Sequence, residues 1–243
     1  MKIAVHGLFA TNDICRKIVE AGDGFFRWMC NVDPVNAETL AERLALYKKQ
    51  GAVGIGEVTI NDWINSEFLQ QLFRAAEKLE LPVTCHMCSR PGLSYGVCDR
   101  PGLPYLEETL KKFPNLKYVG HSQLFWMEIS GDCPQDDRQR NGFGRGKVAP
   151  GGTIERLMDQ YPNLYGDLSA YSGYCAITRD EEYGIYFLNK FSKRLMFATD
   201  TINRRTVFPL GTFLDDCLKN GSLRDEAYTD ICGGNAKRIY RME

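Results

Sequence analysis

Ala52-Val53-Gly54-Ile55-Gly56-Glu57 is a short apolar run that stops on a carboxylate, and its form returns along the chain. Leu81-Pro82-Val83-Thr84-Cys85-His86 and Lys117-Tyr118-Val119-Gly120-His121 each stop on an imidazole. Leu195-Met196-Phe197-Ala198-Thr199-Asp200 stops on a second carboxylate. Short runs of this composition read as buried strands. Similar runs lie at residues 2–8, 25–32 and 163–168, which makes seven. Amphipathic stretches separate them, most clearly 36–50 and 66–80. Ser66 is placed to cap the second helix, and Gly51 to take the left-handed position after the first. Pro114 and Pro162 each end a helix and turn the chain toward a strand.

The polar residues Glu57, His86, His121, Asp167 and Asp200 stand 29, 35, 46 and 33 residues apart. That is the length of a strand–helix–strand unit, with one longer insertion. Buried parallel strands covered by helices leave two architectures, an open doubly wound sheet and a (β/α) barrel. A dinucleotide-binding sheet has a glycine-rich turn after its first strand. His6-Gly7-Leu8-Phe9-Ala10 is no such turn. The expectation is therefore α/β, a (β/α) barrel filling residues 1–243 as a single domain, with seven recognisable units where a barrel has eight.

With 30 basic and 31 acidic residues the net charge is −1, which gives no electrostatic reason for nucleic acid or a membrane surface as partner. No apolar run reaches the length of a membrane span. The first residues lack the pattern of an export signal. Nine cysteines without such a signal read as reduced thiols in a cytoplasmic enzyme. Cys85 and Cys88 form the one C-x-x-C pair, read as two buried thiols flanking His86 rather than a redox couple.

Only three histidines exist, and two of them end predicted strands. In a parallel barrel all such ends open on one mouth, where chemistry is found. Taken singly, each residue has a structural reading: a hydrogen-bonded histidine, a turn-capping Asp200, a Glu57 paired to a base. Taken together, His86, His121, Asp200 and Glu57 form the donor set of a divalent cation, with nitrogen and oxygen ligands suited to zinc first and manganese second. Asp167 reads equally well as a hydrogen-bonding residue, and His6 as structural. The longest insertion carries residues 141–147, a glycine-spaced loop that reads first as solvated and second as a lid carrying Arg145 or Lys147 toward an anionic substrate. Trp126 follows His121 and would wall a pocket or pack in the core. Arg90, Arg179, Arg204 and Arg205 follow strands and could meet a substrate carboxylate.

At these residues the sequence resembles the amidohydrolase superfamily, specifically its amidohydrolase-related group of metal-dependent TIM-barrel hydrolases and decarboxylases. The resembling segments are 53–61, 81–87, 116–126, 161–169, 194–201 and the terminal Gly234-Asn235-Ala236-Lys237-Arg238-Ile239-Tyr240. The resemblance implies that His86 is the metal-binding histidine of the family's fifth strand, and His121 the histidine of its sixth, a ligand or a catalytic partner depending on how many metal ions bind. It implies that Asp200 is the strand-eight aspartate, which binds metal and takes a proton from attacking water. Glu57 is similar to a strand-four carboxylate that bridges two metals in related enzymes. The family opens on a strand ending in a His-x-His pair, and no such pair occurs here, so residues 2–8 match the second strand.

Three functions follow as expectations. The first is a hydrolase that activates water on a divalent ion to attack an amide, ester or lactone carbonyl of a small molecule. In it Asp200 and His121 are catalytic, and Trp126, Arg145 and Arg90 contact substrate. The second is a metal-dependent decarboxylase of an aromatic or enol acid. The third, suggested by the missing pair, is an inactive barrel serving as a binding or assembly module. An open edge between first and last strands would be covered by a dimer partner or by a plugging segment.

Overall fold

The computed structural model describes residues 3–5, 11–201, 203 and 205–242. Its strands are β1 (Ile3–Val5), β2 (Phe26–Cys30), β3 (Ala52–Val58), β4 (Val83–Cys88), β5 (Val97–Cys98), β6 (Tyr118–His121), β7 (Leu164–Asp167) and β8 (Leu195–Met196). The main path runs β1-β2-β3-β4-β6-β7-β8 with every pairing parallel, and β5 adds to β4 alone. Seven strands in this order are those expected from the seven apolar runs.

Helices cross between them: α1 (Asn12–Ala21), α2 (Leu40–Lys49), α3 (Glu67–Lys78), α4 (Pro104–Lys112), α5 (Gln123–Met127), α6 (Asp137–Arg140), α7 (Thr153–Gln160), α8 (Ala170–Thr178), α9 (Glu181–Lys190), α10 (Pro209–Lys219), α11 (Asp225–Thr229) and α12 (Asn235–Ile239). None of the described helices is long and apolar enough to cross a membrane. Gly51 takes its expected left-handed conformation after α2, at φ 94°. Ser66 stands at the start of α3, but its side chain makes no capping bond. The reading of Ser66 as a cap is corrected: its hydroxyl is buried without a partner.

Successive side chains of a strand point to opposite faces. One face meets the helices: Trp28, Ile55, Val83, Cys85, Tyr118, Leu164 and Leu195 belong to the large core with Leu69, Phe73, Leu106 and Leu157. The other face forms a second cluster of Met29, Val119 and Met196, with Val53 and Tyr165 against it. In a flat sheet β2 and β8, five strands apart, would stand about 24 Å from each other. One small cluster joining them requires a curled sheet, and the chain supplies a filling for the curl. Ile239, Tyr240 and Met242 pack into the same cluster, and the Tyr240 hydroxyl lies 3.0 Å from Thr84 Oγ1. Among the described residues β1 and β8 are the free ends of the path, so the architecture is a half-barrel with a packed floor.

Gly120 shows how tightly the helix side of this sheet is filled. A Cβ there would stand 2.1 Å from the Phe125 ring, in a segment that is wholly buried. Overpacking of this kind costs about 1–3 kcal/mol. Gly120→Ala is therefore expected to lower the thermal midpoint by about 2–10 °C, read by calorimetry, and an unchanged midpoint would contradict the packing described.

Candidate metal centre

Two residues above the floor, the side chains of the enclosed face change from apolar to polar. Val119 is followed by His121 and Tyr165 by Asp167, each two positions on and so on the same face, and His86 follows the hydroxyl-bearing Thr84 in the same way. Glu57 joins them from β3. Register does the rest: His86 and His121 are direct partners across β4 and β6, and Val58 partners Cys85 one strand away. The imidazole centroids lie 5.5 Å apart with planes at 63°.

A single carboxylate oxygen sits between the two rings. Glu57 Oε1 is 2.6 Å from His86 Nδ1 and 3.5 Å from His121 Nε2. The other nitrogen of His121, Nδ1, stands 3.1 Å from Ser169 Oγ and 3.8 Å from Asp167 Oδ2. Asp167 in turn accepts the Ser169 backbone N–H at 2.7 Å. The far side of His121 is thus fixed, which aims Nε2 at Glu57. Ser122 closes the strand ends: its hydroxyl donates to the Met87 carbonyl (2.7 Å) and accepts the Met87 N–H (3.0 Å).

Glu57, His86 and His121 are 3%, 8% and 5% exposed. Charge this deep is costly unless it is compensated. The three side chains offer ligand atoms all within 4.8 Å of one another, and they are the one such trio among the described residues. One carboxylate oxygen and two imidazole nitrogens, with a second-layer hydroxyl orienting one ring, suit a divalent cation such as zinc or manganese. The residues present fit that ion.

Asp200 stands outside this trio. It is exposed, with a left-handed backbone at φ 53°. It borders a mainly apolar cavity of about 250 Å³ whose walls include Leu168, Tyr171, Phe197 and Phe208. Burial, then Glu57 and Asp200, raise the pKa of Tyr95, so one phenol feels both carboxylates at the same mouth.

The remaining expected residues are dispersed. Trp126 is buried in the core, where its indole N–H donates to the Asp167 carbonyl at 2.9 Å. Arg90 is paired with Asp137 at 3.0 Å. Arg145 is exposed on a loop whose neighbours are held by Arg179, which donates to the Gly146 and Lys147 carbonyls, and by Asp180, which binds Lys147. His6 and Arg204 lie outside the described residues. Cys85 and Cys88, three apart on one strand, face opposite ways: Cys85 toward Tyr118 and Cys88 toward Cys98. Sequence reasoning missed Ser169 and Tyr95. Ser169 carried a faint signal as a hydroxyl two residues beyond Asp167, whereas Tyr95 carried none.

A curled parallel sheet with helices outside and a carboxylate–imidazole trio at its strand ends defines a half-barrel with a candidate metal site. The chain belongs to the Amidohydrolase family, whose model matches residues 4–242. None of the curated proteins matches the sequence. Among solved structures it is similar to an uncharacterised TIM-barrel protein from Bordetella bronchiseptica (TM-score 0.62, 16% identity, covering 96% of this chain and 73% of that one). It is similar also to 5-carboxyvanillate decarboxylase from Sphingomonas paucimobilis (0.60, 17%, 96% and 71%). A third is a probable 2-pyrone-4,6-dicarboxylic acid hydrolase from Acinetobacter baumannii (0.59, 13%, 98% and 82%). At these identities the likeness is one of fold.

Manganese binding followed by electron paramagnetic resonance tests the trio. The expected result is one ion per chain, at least about 100-fold weaker in His86→Ala and about 10- to 100-fold weaker in Ser169→Ala, as for other groups that orient a ligand. Equal affinity in His86→Ala would remove His86 from the site.

Proposed function

We propose that this chain is a metal-dependent hydrolase of small molecules, holding one divalent ion on Glu57, His86 and His121. The observation that carries the reading is the shared Glu57 oxygen between two buried imidazoles at adjoining strand ends. A divalent cation bound there supplies Lewis acidity, polarising a carbonyl and making water acidic near neutral pH. The chain's own residues do the rest. Ser169 holds the His121 ring, so that the ligand nitrogen does not rotate away. Asp200, at the mouth and open to solvent, accepts the proton of the attacking water and returns it to the leaving group as general base and acid. Burial of the trio keeps bulk water from competing for those positions. Zinc is the first candidate for the ion and manganese the second.

A second reading, decarboxylation of an aromatic acid, is favoured by the fold likeness to 5-carboxyvanillate decarboxylase. The ligand trio serves either reaction, and the products separate them. Incubation of manganese- or zinc-loaded protein with 2-pyrone-4,6-dicarboxylate and with 5-carboxyvanillate is expected to give ring-opened acid without carbon dioxide. Release of carbon dioxide would move the assignment to the second reading. On whichever compound is turned over, Asp200→Asn is expected to lower kcat by about 10²–10⁴-fold, the usual worth of a general base. Retention of full turnover would end its assigned role.

A further inference from the structure

Beyond Cys88 the chain leaves β4, loops out, and comes back as β5, pairing Val97 with Met87 and Cys98 with Cys88. The return passes directly over His86. At Gly96, φ is +114°, and a Cβ would stand 2.6 Å from the His86 carbonyl oxygen and 2.9 Å from its ring. Only glycine lets the backbone run there. Asn61 pins the loop at two points, its Oδ1 accepting the Gly92 N–H (2.7 Å) and its Nδ2 donating to the Gly96 carbonyl (3.1 Å). The Gly96 N–H donates to the Thr59 carbonyl at 3.1 Å. The loop is therefore built as a fixed arm on the exit of β3.

What the arm carries is Tyr95. Its ring centroid lies 4.2 Å from that of His86, with planes at 40°. His86 is 8% exposed and Tyr95 49% exposed, so the tyrosine roofs the histidine and itself faces solvent. Its ring lies on His86 at the strand ends, and among the described residues no hydrogen bond engages its hydroxyl. The ring is held on His86 while its one polar atom, unlike that of a buried tyrosine, is left to solvent or to a bound molecule.

We propose that Tyr95 is a substrate-contacting residue: its ring roofs His86, and its hydroxyl donates a hydrogen bond to a carbonyl or carboxylate oxygen of the substrate lying between the trio and Asp200. The assignment rests on the metal-dependent reading given above. A neutral phenol suits the position. Ordinary phenols keep their proton until about pH 10, so Tyr95 offers a donor beside two acidic side chains, where an acceptor on the substrate would otherwise be repelled. The group selected is thus an oxygen acceptor next to the reacting carbon.

The test uses manganese-loaded protein and acetohydroxamate, a two-oxygen chelator that occupies open positions on the ion whatever the natural substrate. Wild type, Tyr95→Phe and Tyr95→Ala are titrated first with manganese and then with acetohydroxamate. Tyr95→Phe is expected to bind manganese within about 2-fold of wild type and acetohydroxamate about 10- to 150-fold more weakly, the worth of one hydrogen bond to a charged acceptor. Tyr95→Ala is expected to lose at least as much. Acetohydroxamate binding by Tyr95→Phe equal to wild type would overturn the proposal while leaving the metal reading intact. So would loss of manganese in Tyr95→Phe, which would make the residue a support of His86. Wild type that takes up no manganese would instead bring down the metal reading and, with it, this inference.

Discussion

One carboxylate oxygen placed between two imidazoles is the interaction around which the upper half of this molecule is arranged. Glu57 is buried, and His86 and His121 approach its carboxylate from adjacent strands, which offsets the cost of burying its charge. That approach depends on parallel register: His86 and His121 are direct partners, and a slip of one residue on either strand would send its ring to the helix side. Register depends in turn on the apolar layer beneath. Met29, Val53, Val119, Tyr165 and Met196 fill the enclosed face below the polar layer, and the sheet cannot slide without exposing them.

Much of this was legible in the sequence. All seven principal strands follow from apolar runs, because a parallel strand buried on both faces needs nothing else. The placement of two rare histidines and a glutamate at run ends pointed to one mouth, and the structure gathers those three side chains together. What was not legible has physical reasons. The two-residue strand β5 has too few residues to show any period, and it exists through pairing with β4 and the hold of Asn61. Tyr95 belongs to an irregular loop, where side-chain direction follows no repeat.

Asp200 marks another limit. Its run, Leu195 to Thr199, resembles the others in composition, yet only Leu195 and Met196 pair as strand. The chain then departs from the sheet, and Asp200 arrives at the mouth from outside the polar layer, in a left-handed turn. Run composition identifies a strand without telling where pairing stops. The insertion between β6 and β7 hides its logic in a similar way. Buried Arg140 binds Glu128 at 2.8 Å within the insertion and the Asp99 carbonyl at 3.1 Å, an anchoring that ties the insertion to the segment after β5.

The floor of the half-barrel has a temporal consequence. Its central contact, Thr84 with Tyr240, joins residues 156 apart in sequence. During synthesis the strands carrying Glu57, His86 and His121 emerge long before the segment that fills the space below them. Until residues 239–242 leave the ribosome, the apolar side chains of the enclosed face lack the partners that cover them in the finished fold. Local pairing needs only neighbouring units of the chain, whereas the filling beneath the rings needs a contact between residues far apart in sequence, the kind that slows folding.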